Sequence, residues 1–118
     1  MAREAVIVST ARTPIGKAYR GAFNGTYGAT LGAHAVRHAL ERSGIESDEI
    51  EDVIMGCGRT QGTTGTNIGR QIALRAGMPT SVSGLTVSRQ CASGLNAIAT
   101  AAQRIVVDGV PAAIGGGL

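Results

Sequence analysis

The chain has 118 residues and a formal net charge of +3, with 18 glycines, one Phe, two Tyr and no Trp. This length suits one domain or a part of one, and a modest charge without a basic run or interleaved aromatic residues argues against nucleic-acid binding. No apolar stretch reaches the length of a membrane span, so no membrane partner is expected either.

Cys57 and Cys91 are the two cysteines of the chain. Two cysteines do not make a disulfide framework, and the start of the chain does not resemble a secretory signal. An apolar run begins at Ala5, so we expect no targeting peptide before the fold. These features favour a reducing, cytoplasmic location.

The first half of the chain predicts two strands around a helix. Residues 5–8 are apolar and mostly β-branched, as in a strand buried on both faces, and residues 9–29 form a long irregular connection. Thr30 is the predicted N-cap of a helix that ends at Gly44. A short helical turn is predicted at residues 47–49 and a second strand at residues 53–55.

The second half continues the alternation. Asn67 is the predicted N-cap of a second helix, which ends near Gly77. Residues 85–87 form a third predicted strand, residues 92–107 a third helix, and residues 112–114 a fourth strand before three glycines. This order predicts an α/β fold with a mostly parallel sheet and helices that cover it.

The third helix is apolar nearly all round, which is typical of a buried helix. A buried helix needs protein on both sides, more than this chain supplies. We therefore expect residues 1–118 to be part of a larger domain.

Cys91 lies where the third strand meets the third helix. A helix N-terminus has unpaired N–H groups and a partial positive charge, which favour thiolate over thiol, and the same groups can donate to an oxyanion. Gly94, in the first turn, leaves room for a substrate. From position alone Cys91 is either a nucleophile or a small buried hydrophobic residue.

The segment from Val87 to Ile98 resembles the thiolase segment around the acyl-enzyme cysteine, in the form found in degradative 3-ketoacyl-CoA thiolases. Four other segments are similar to thiolases in the expected order; they are residues 4–17, 56–57, 67–70 and 113–117. One departure is Ser88, where the family usually has Asn, so the support of the cysteine loop differs. Related β-ketoacyl synthases also carry a cysteine at a buried helix start, but they fit less well around it.

The resemblance implies a thiolase-like domain of order βαβαβαββ, in which a mostly parallel, mixed sheet packs on a buried helix that starts at the nucleophile. The chain would be the N-terminal part of the first domain, without the loop domain and the C-terminal domain. The implied reaction is thiolytic cleavage of a 3-oxoacyl-CoA, or the reverse condensation, in fatty acid metabolism. Cys91 would carry the acyl group and its backbone N–H would bind the oxyanion, with coenzyme A as co-substrate and no tightly bound cofactor.

The resemblance also places an activating His, a second acid/base Cys and most coenzyme A contacts in segments outside this chain. We therefore expect the 118 residues alone to be inactive. A homodimer or homotetramer is implied, with the strand near residues 83–88 at the interface.

The remaining candidate residues favour structural roles. His34 and His38 are four residues apart, but no third metal ligand with suitable spacing appears, so a solvated face is expected and no metal site. Cys57 is interpreted as structural, Asn67 and Arg70 as cap and tether of a helix, and Arg12 and Thr13 as loop anchors.

Three alternatives are weighed against the degradative thiolase. The first is a biosynthetic acetoacetyl-CoA thiolase (acetyl-CoA acetyltransferase), and the second is a non-catalytic acyl-CoA-binding fragment in which Cys91 only packs. The third, a nucleotide-binding α/β domain, fails because the glycines after the first strand form no G-x-G-x-x-G turn into a helix.

Overall fold

Three parallel strands and three α-helices form the core of residues 2–118, the part of the chain that the computed structural model describes. In chain order these are α1 (Gly28–Ser43), β1 (Ile50–Gly56), α2 (Ile68–Arg75), β2 (Ser83–Val87), α3 (Ser93–Asp108) and β3 (Ala112–Gly117). Two short 3-10 turns, Ser47–Glu49 and Gly62–Thr64, lie in the connections. The α/β class predicted from the sequence is confirmed.

The sheet has the order β2-β1-β3, and both pairs are parallel. The central strand β1 is buried at every position but one, as expected of a strand covered on both faces. Successive side chains point to opposite faces. Val53, Met55 and Cys57 therefore join the core on one side, and Ile54 joins a smaller cluster with Ala97 of α3 on the other.

Helices α1 and α2 pack together on the first of these faces. Their contact is close because Gly32 of α1 has no side chain. A Cβ at Gly32 would lie 2.3 Å from Cδ1 of the fully buried Ile72. This layer is thus held by aliphatic side chains that fit against one small residue.

Most predicted element ends agree with the structure. Gly44 ends α1 with φ 72° and Asn67 caps α2, as predicted. The prediction for the start of α1 was wrong: the helix begins at Gly28, and its N-cap is Tyr27 without a side-chain hydrogen bond, so Thr30 already lies inside the first turn. The last strand also runs on through the three glycines to Gly117.

The predicted strand at residues 5–8 was wrong for this structure. The segment has no regular secondary structure, and the side chains of Val6, Ile7 and Val8 are 71%, 77% and 62% exposed. A strand needs a neighbour for its backbone groups, and no strand among residues 2–118 pairs with this one. The sheet of the described residues is accordingly all parallel, not mixed.

Within residues 2–118, α3 is covered on one side only, so its predicted burial on both sides, which needs more protein than this chain supplies, stays a prediction. Its inner side, with Ala97 and Ala101, packs on β1 and β3, but Leu95 and Val107 are 74% and 77% exposed. The reason is that no other part of residues 2–118 covers the outer side. The far end of α3 is tied to the sheet by Arg104, whose Nε lies 3.6 Å from the buried Asp52 carboxylate.

Candidate active site

Cys91 lies in a tight turn between the end of β2 and the start of α3. The N–H of Ala92 donates to the carbonyl of Arg89 at 3.1 Å, and the N–H of Ser93 donates to the carbonyl of Gln90 at 3.1 Å. Gln90 has φ 52°, a left-handed conformation that is rare for a residue other than Gly or Asn. The turn points the Cys91 side chain outward, and the thiol is free and exposed.

The turn lies directly on the carboxyl ends of β1 and β3, where glycines leave space for it. A Cβ at Gly56 would lie 2.2 Å from the carbonyl carbon and oxygen of Ser93. A Cβ at Gly117 would lie 2.9 Å from Cα of Gly94. Real Cβ atoms are not found at such distances from backbone atoms, so these strand ends need glycine. The missing side chains allow the N-terminus of α3 to rest on the sheet backbone.

Cys91 lies beside the free N–H groups at the start of α3. Cys91 precedes the first residue of α3 by two positions, and the first turn of the helix has no acidic residue. Helix N-terminal N–H groups carry a partial positive charge. In the described part of the chain, the Cys91 N–H donates to no carbonyl. It therefore remains able to donate to a bound oxygen.

Cys57 differs from Cys91 in every one of these respects. It is buried on the opposite face of the sheet, in the core beneath α1 and α2. Its thiol donates to the carbonyl of Arg59 at 3.1 Å, and its N–H donates to the carbonyl of Val87 at 2.9 Å. The interpretation of Cys57 as a structural residue is confirmed.

Asn67 and Arg70 fix α2 against β2, as predicted. The Asn67 side chain accepts from the Arg70 N–H at 3.2 Å and from Oγ1 of Thr86 at 2.7 Å, and it donates to the carbonyl of Gly84 at 2.9 Å. The Arg70 guanidinium donates to the carbonyl of Val82. Both side chains are fully engaged in holding the helix on the strand that leads to Cys91.

The two histidines lie far from this turn, in the helix layer on the other side of the sheet. His34 and His38 are exposed on α1, with ring centroids 4.5 Å apart. With Arg12 and Arg42 they line a shallow cleft of about 130 Å³. Among residues 2–118 no three His, Cys, Asp or Glu side chains come together as metal ligands would.

The two predicted loop residues beside this cleft contribute little to it. Arg12 is exposed and borders the cleft, and the Thr13 hydroxyl donates only to the carbonyl of Pro14, at 3.0 Å. The link between the N-terminal segment and α1 comes instead from Arg42, which donates to the carbonyl of Thr10 at 2.9 Å.

Ser88, the departure noted in the sequence, is exposed, and its hydroxyl makes no hydrogen bond within residues 2–118. The support of the cysteine turn comes from Ser93 instead. That hydroxyl accepts from the Arg89 N–H at 2.8 Å and donates to the Gln90 carbonyl at 2.7 Å. Ser93, Gln90 and Gly56 were not predicted as residues of the site. Only Gly56 had a signal in the sequence, as the glycine that ends β1 directly before Cys57.

The described residues thus form a parallel α/β sheet with an exposed thiol at the N-terminus of a helix. Residues 5–118 match the sequence profile of the family "Thiolase, N-terminal domain". The chain belongs to the thiolase family.

Individual relatives support membership of this family. The chain is 44% identical over 115 residues to a 3-ketoacyl-CoA thiolase of Bacillus subtilis, covering 98% of the chain and 29% of that protein. It is 38% identical over 105 residues to an acetyl-CoA acetyltransferase of Syntrophomonas wolfei, covering 89% of the chain and 26% of that protein.

The crystal structure of the Bacillus anthracis acetyl-CoA acetyltransferase superposes with a TM-score of 0.91 at 35% identity, over 98% of the chain and 29% of that structure. The chain thus spans under a third of the length of these relatives. No helix in the described residues has the length and hydropathy needed to cross a membrane.

Proposed function

We propose that this chain supplies the nucleophile of a thiolase that cleaves 3-oxoacyl-CoA, or condenses two acyl-CoA molecules in the reverse direction, in fatty acid metabolism. The single observation that supports this most is the exposed thiol of Cys91 at the N-terminus of α3, within a chain of the thiolase family. Coenzyme A is the co-substrate in this proposal, and the cytoplasm is the proposed location because both cysteines are free.

In the proposed reaction the Cys91 thiolate attacks the 3-keto carbonyl, and the negative charge on that oxygen is met by N–H groups such as that of Cys91. The bond between C2 and C3 then breaks. The shortened acyl group stays on sulfur, and acetyl-CoA leaves as an enolate that takes up a proton. The thiolate of free coenzyme A then attacks the carbonyl carbon of the acyl group, the bond to the Cys91 sulfur breaks, and shortened acyl-CoA and free Cys91 result. Covalent catalysis thus divides the cleavage into two transfers.

In this proposal Cys91 carries the acyl group, and the reaction needs a base as well. His34 and His38 are separated from Cys91 by the sheet, so neither takes a proton from it within this chain. We therefore propose that the 118 residues alone do not catalyse thiolysis. Cleavage of acetoacetyl-CoA by the purified chain with coenzyme A would contradict this.

An intact mass spectrum after brief exposure to acetyl-CoA tests the nucleophile. We expect a gain of one acetyl group that maps to Cys91, is lost in Cys91→Ala and is retained in Cys57→Ala, the matched control for the other thiol. An adduct that persists in Cys91→Ala would refute the assignment.

The subtype proposed is the degradative 3-ketoacyl-CoA thiolase, supported by the 44% identity to a relative of that name. Relatives named acetyl-CoA acetyltransferase, at 38% and 39% identity, support the biosynthetic alternative. The turnover of long and short 3-oxoacyl-CoA substrates by a longer form of the protein separates the two.

A non-catalytic acyl-CoA-binding role is the alternative from another class. It requires that Cys91 react with iodoacetamide no faster than the buried Cys57. The exposure of Cys91 favours the enzyme.

The free edge of β2 supports a homodimer or a homotetramer. Within residues 2–118, β2 pairs with β1 along one edge and with nothing along the other. An open edge is a ready site for pairing with a second chain. Sedimentation of a longer form of the protein as a monomer only would contradict this proposal.

A further inference from the structure

The Ser93 hydroxyl is a buried polar group inside the turn that carries Cys91. Ser93 is 3% exposed, and its oxygen makes two short hydrogen bonds, from the Arg89 N–H at 2.8 Å and to the Gln90 carbonyl at 2.7 Å. Both bonds go to the two residues before the cysteine. The side chain therefore closes the turn around Cys91 from the inside.

This is not the usual role of a serine at a helix start. A capping serine accepts from N–H groups of the first helical turn, but the N-cap of α3 is Ala92, which provides no side-chain bond. Ser93 directs its hydroxyl backwards, out of the helix. The side chain stabilises the turn without occupying the N–H groups at the start of α3.

The turn needs such support because it includes Gln90 in the left-handed region, with φ 52°. A non-glycine residue keeps that conformation only where its surroundings hold it. The hydrogen bond from Ser93 to the Gln90 carbonyl fixes the peptide that joins Gln90 to Cys91. The ends of β1 and β3 support the same turn from below, since Gly56 and Gly117 touch the backbone of α3.

We propose that Ser93 is a positioning residue for Cys91, in a role that rests on the proposed function of Cys91 as nucleophile. Its hydroxyl holds the Ser88–Arg89 peptide and the Gln90–Cys91 peptide so that the thiol stays at the N-terminus of α3. Without the hydroxyl, the Arg89 N–H and the Gln90 carbonyl lose a buried partner and the turn relaxes. The thiol then moves away from the N–H groups at the helix end, and it reacts more slowly with an alkylating agent.

The test is the rate at which iodoacetamide alkylates Cys91 in the full chain carrying Ser93→Ala. We expect this rate at pH 7 to fall roughly three- to tenfold, the effect of losing one net hydrogen bond from the reactive conformation. Ser43→Ala is the matched control. The Ser43 hydroxyl also donates to a carbonyl, of Leu40 at 2.6 Å, and accepts from an N–H, of Ile45 at 3.0 Å, but at the end of α1.

Two further measurements separate positioning from a general loss of structure. Alkylation of the buried Cys57 reports unfolding and is expected to stay slow in Ser93→Ala. Ser93→Thr retains the hydroxyl and is expected to restore the rate at Cys91. Equal rates at Cys91 in wild type and Ser93→Ala would overturn the proposal, as would equal slowing by Ser43→Ala.

If Ser93→Ala labels Cys57 as fast as the urea-unfolded chain does, the comparison moves to a Gln90→Gly background, in which the left-handed residue has no side-chain strain. Slower alkylation of Cys91 on adding Ser93→Ala there supports the proposal, and an unchanged rate overturns it. Alkylation needs no acyl substrate. A chain that is alkylated as expected but not acetylated by acetyl-CoA would refute the proposed function and leave the role of Ser93 intact.

Discussion

The two faces of the sheet are packed differently. On the face of α1 and α2, the core is large and is filled by branched side chains such as the fully buried Ile72, with close backbone contact at Gly69. On the face of α3, the side-chain cluster around Ile54 is smaller, and close backbone contacts at Gly56 and Gly117 add to it. The first layer thus depends mainly on the volume of its side chains, and the second depends more on close backbone contact.

This difference explains why one cysteine of the chain is buried and the other is exposed. Cys57 points into the layer filled by side chains, where a thiol is one more small apolar group. Cys91 lies above the glycine-lined strand ends, where α3 comes close enough to the sheet for its N-terminus to form one wall of an open site. The exposed thiol thus lies where glycines let α3 come close to the sheet.

Among the variants that test the two layers, Ile72→Ala is expected to have the largest effect on the free energy of unfolding. This side chain is fully buried against Gly32 in the α1 and α2 layer, so its truncation leaves a cavity and should lower the free energy of unfolding by about 2–5 kcal/mol. Urea unfolding measures the change. Leu74→Ala, in the same helix but with the side chain 48% exposed, is the control and should cost much less; equal losses would contradict the side-chain account of this layer.

On the face of α3, adding a methyl group at a strand end should destabilise the fold. Gly56→Ala places a Cβ against the backbone of Ser93, and such overpacking is expected to cost about 1–3 kcal/mol. It should also shift the cysteine turn and change the alkylation rate of Cys91 in the folded chain. Gly25→Ala, at a position with nothing within 4 Å of the added Cβ, should change neither quantity. The comparison of the two faces fails if Gly56→Ala is as well tolerated as Gly25→Ala.

Substitutions at helix caps are expected to change the free energy of unfolding by a smaller amount. Asn67→Ala removes the cap of α2 and its bond to Gly84, and a lost N-cap is worth about 0.5–2 kcal/mol. Thr30→Ala changes the residue that the sequence wrongly indicated as a cap, and should cost less than Asn67→Ala because the N-cap of α1 is Tyr27. The urea midpoints of the two variants show which is less stable. A larger loss of stability in Thr30→Ala would mean that Thr30 caps α1, as the sequence indicated.

The elements that could be predicted from sequence are those with a local cause. Gly44 and Asn67 determine helix ends through their own backbone and side-chain preferences, and β1 was recognisable because its side chains are apolar on both faces. The segment at residues 5–8 is apolar like residues 53–55 of β1, yet it is exposed. Strand formation depends on a neighbouring strand, and nothing in the sequence of the segment indicates whether one is present.

Only one residue of the candidate site, Cys91, could be predicted from the sequence. Cys91 was found from its place at a strand-to-helix junction and from the thiolase-like residues around it. Gln90 and Ser93 were not found, because a left-handed φ and a hydroxyl that reaches back to the preceding turn depend on the geometry of that turn. The need for glycine at Gly56 arises from contact with Ser93, 37 positions along the chain, a distance over which local patterns carry no information.

The smallest expected effect tests the exposed N-terminal segment. Ile7→Ser changes a side chain that is 77% exposed and outside both packed faces, so the free energy of unfolding should change by no more than about 0.5 kcal/mol. Val53→Ser, the same kind of change at a fully buried position of β1, should destabilise strongly because it buries a hydroxyl and removes apolar volume. Urea unfolding of both variants gives the comparison. A loss in Ile7→Ser close to that in Val53→Ser would mean that residues 5–8 are packed as a strand in solution, as the sequence alone indicates, and that the sheet has a further strand beside the three described.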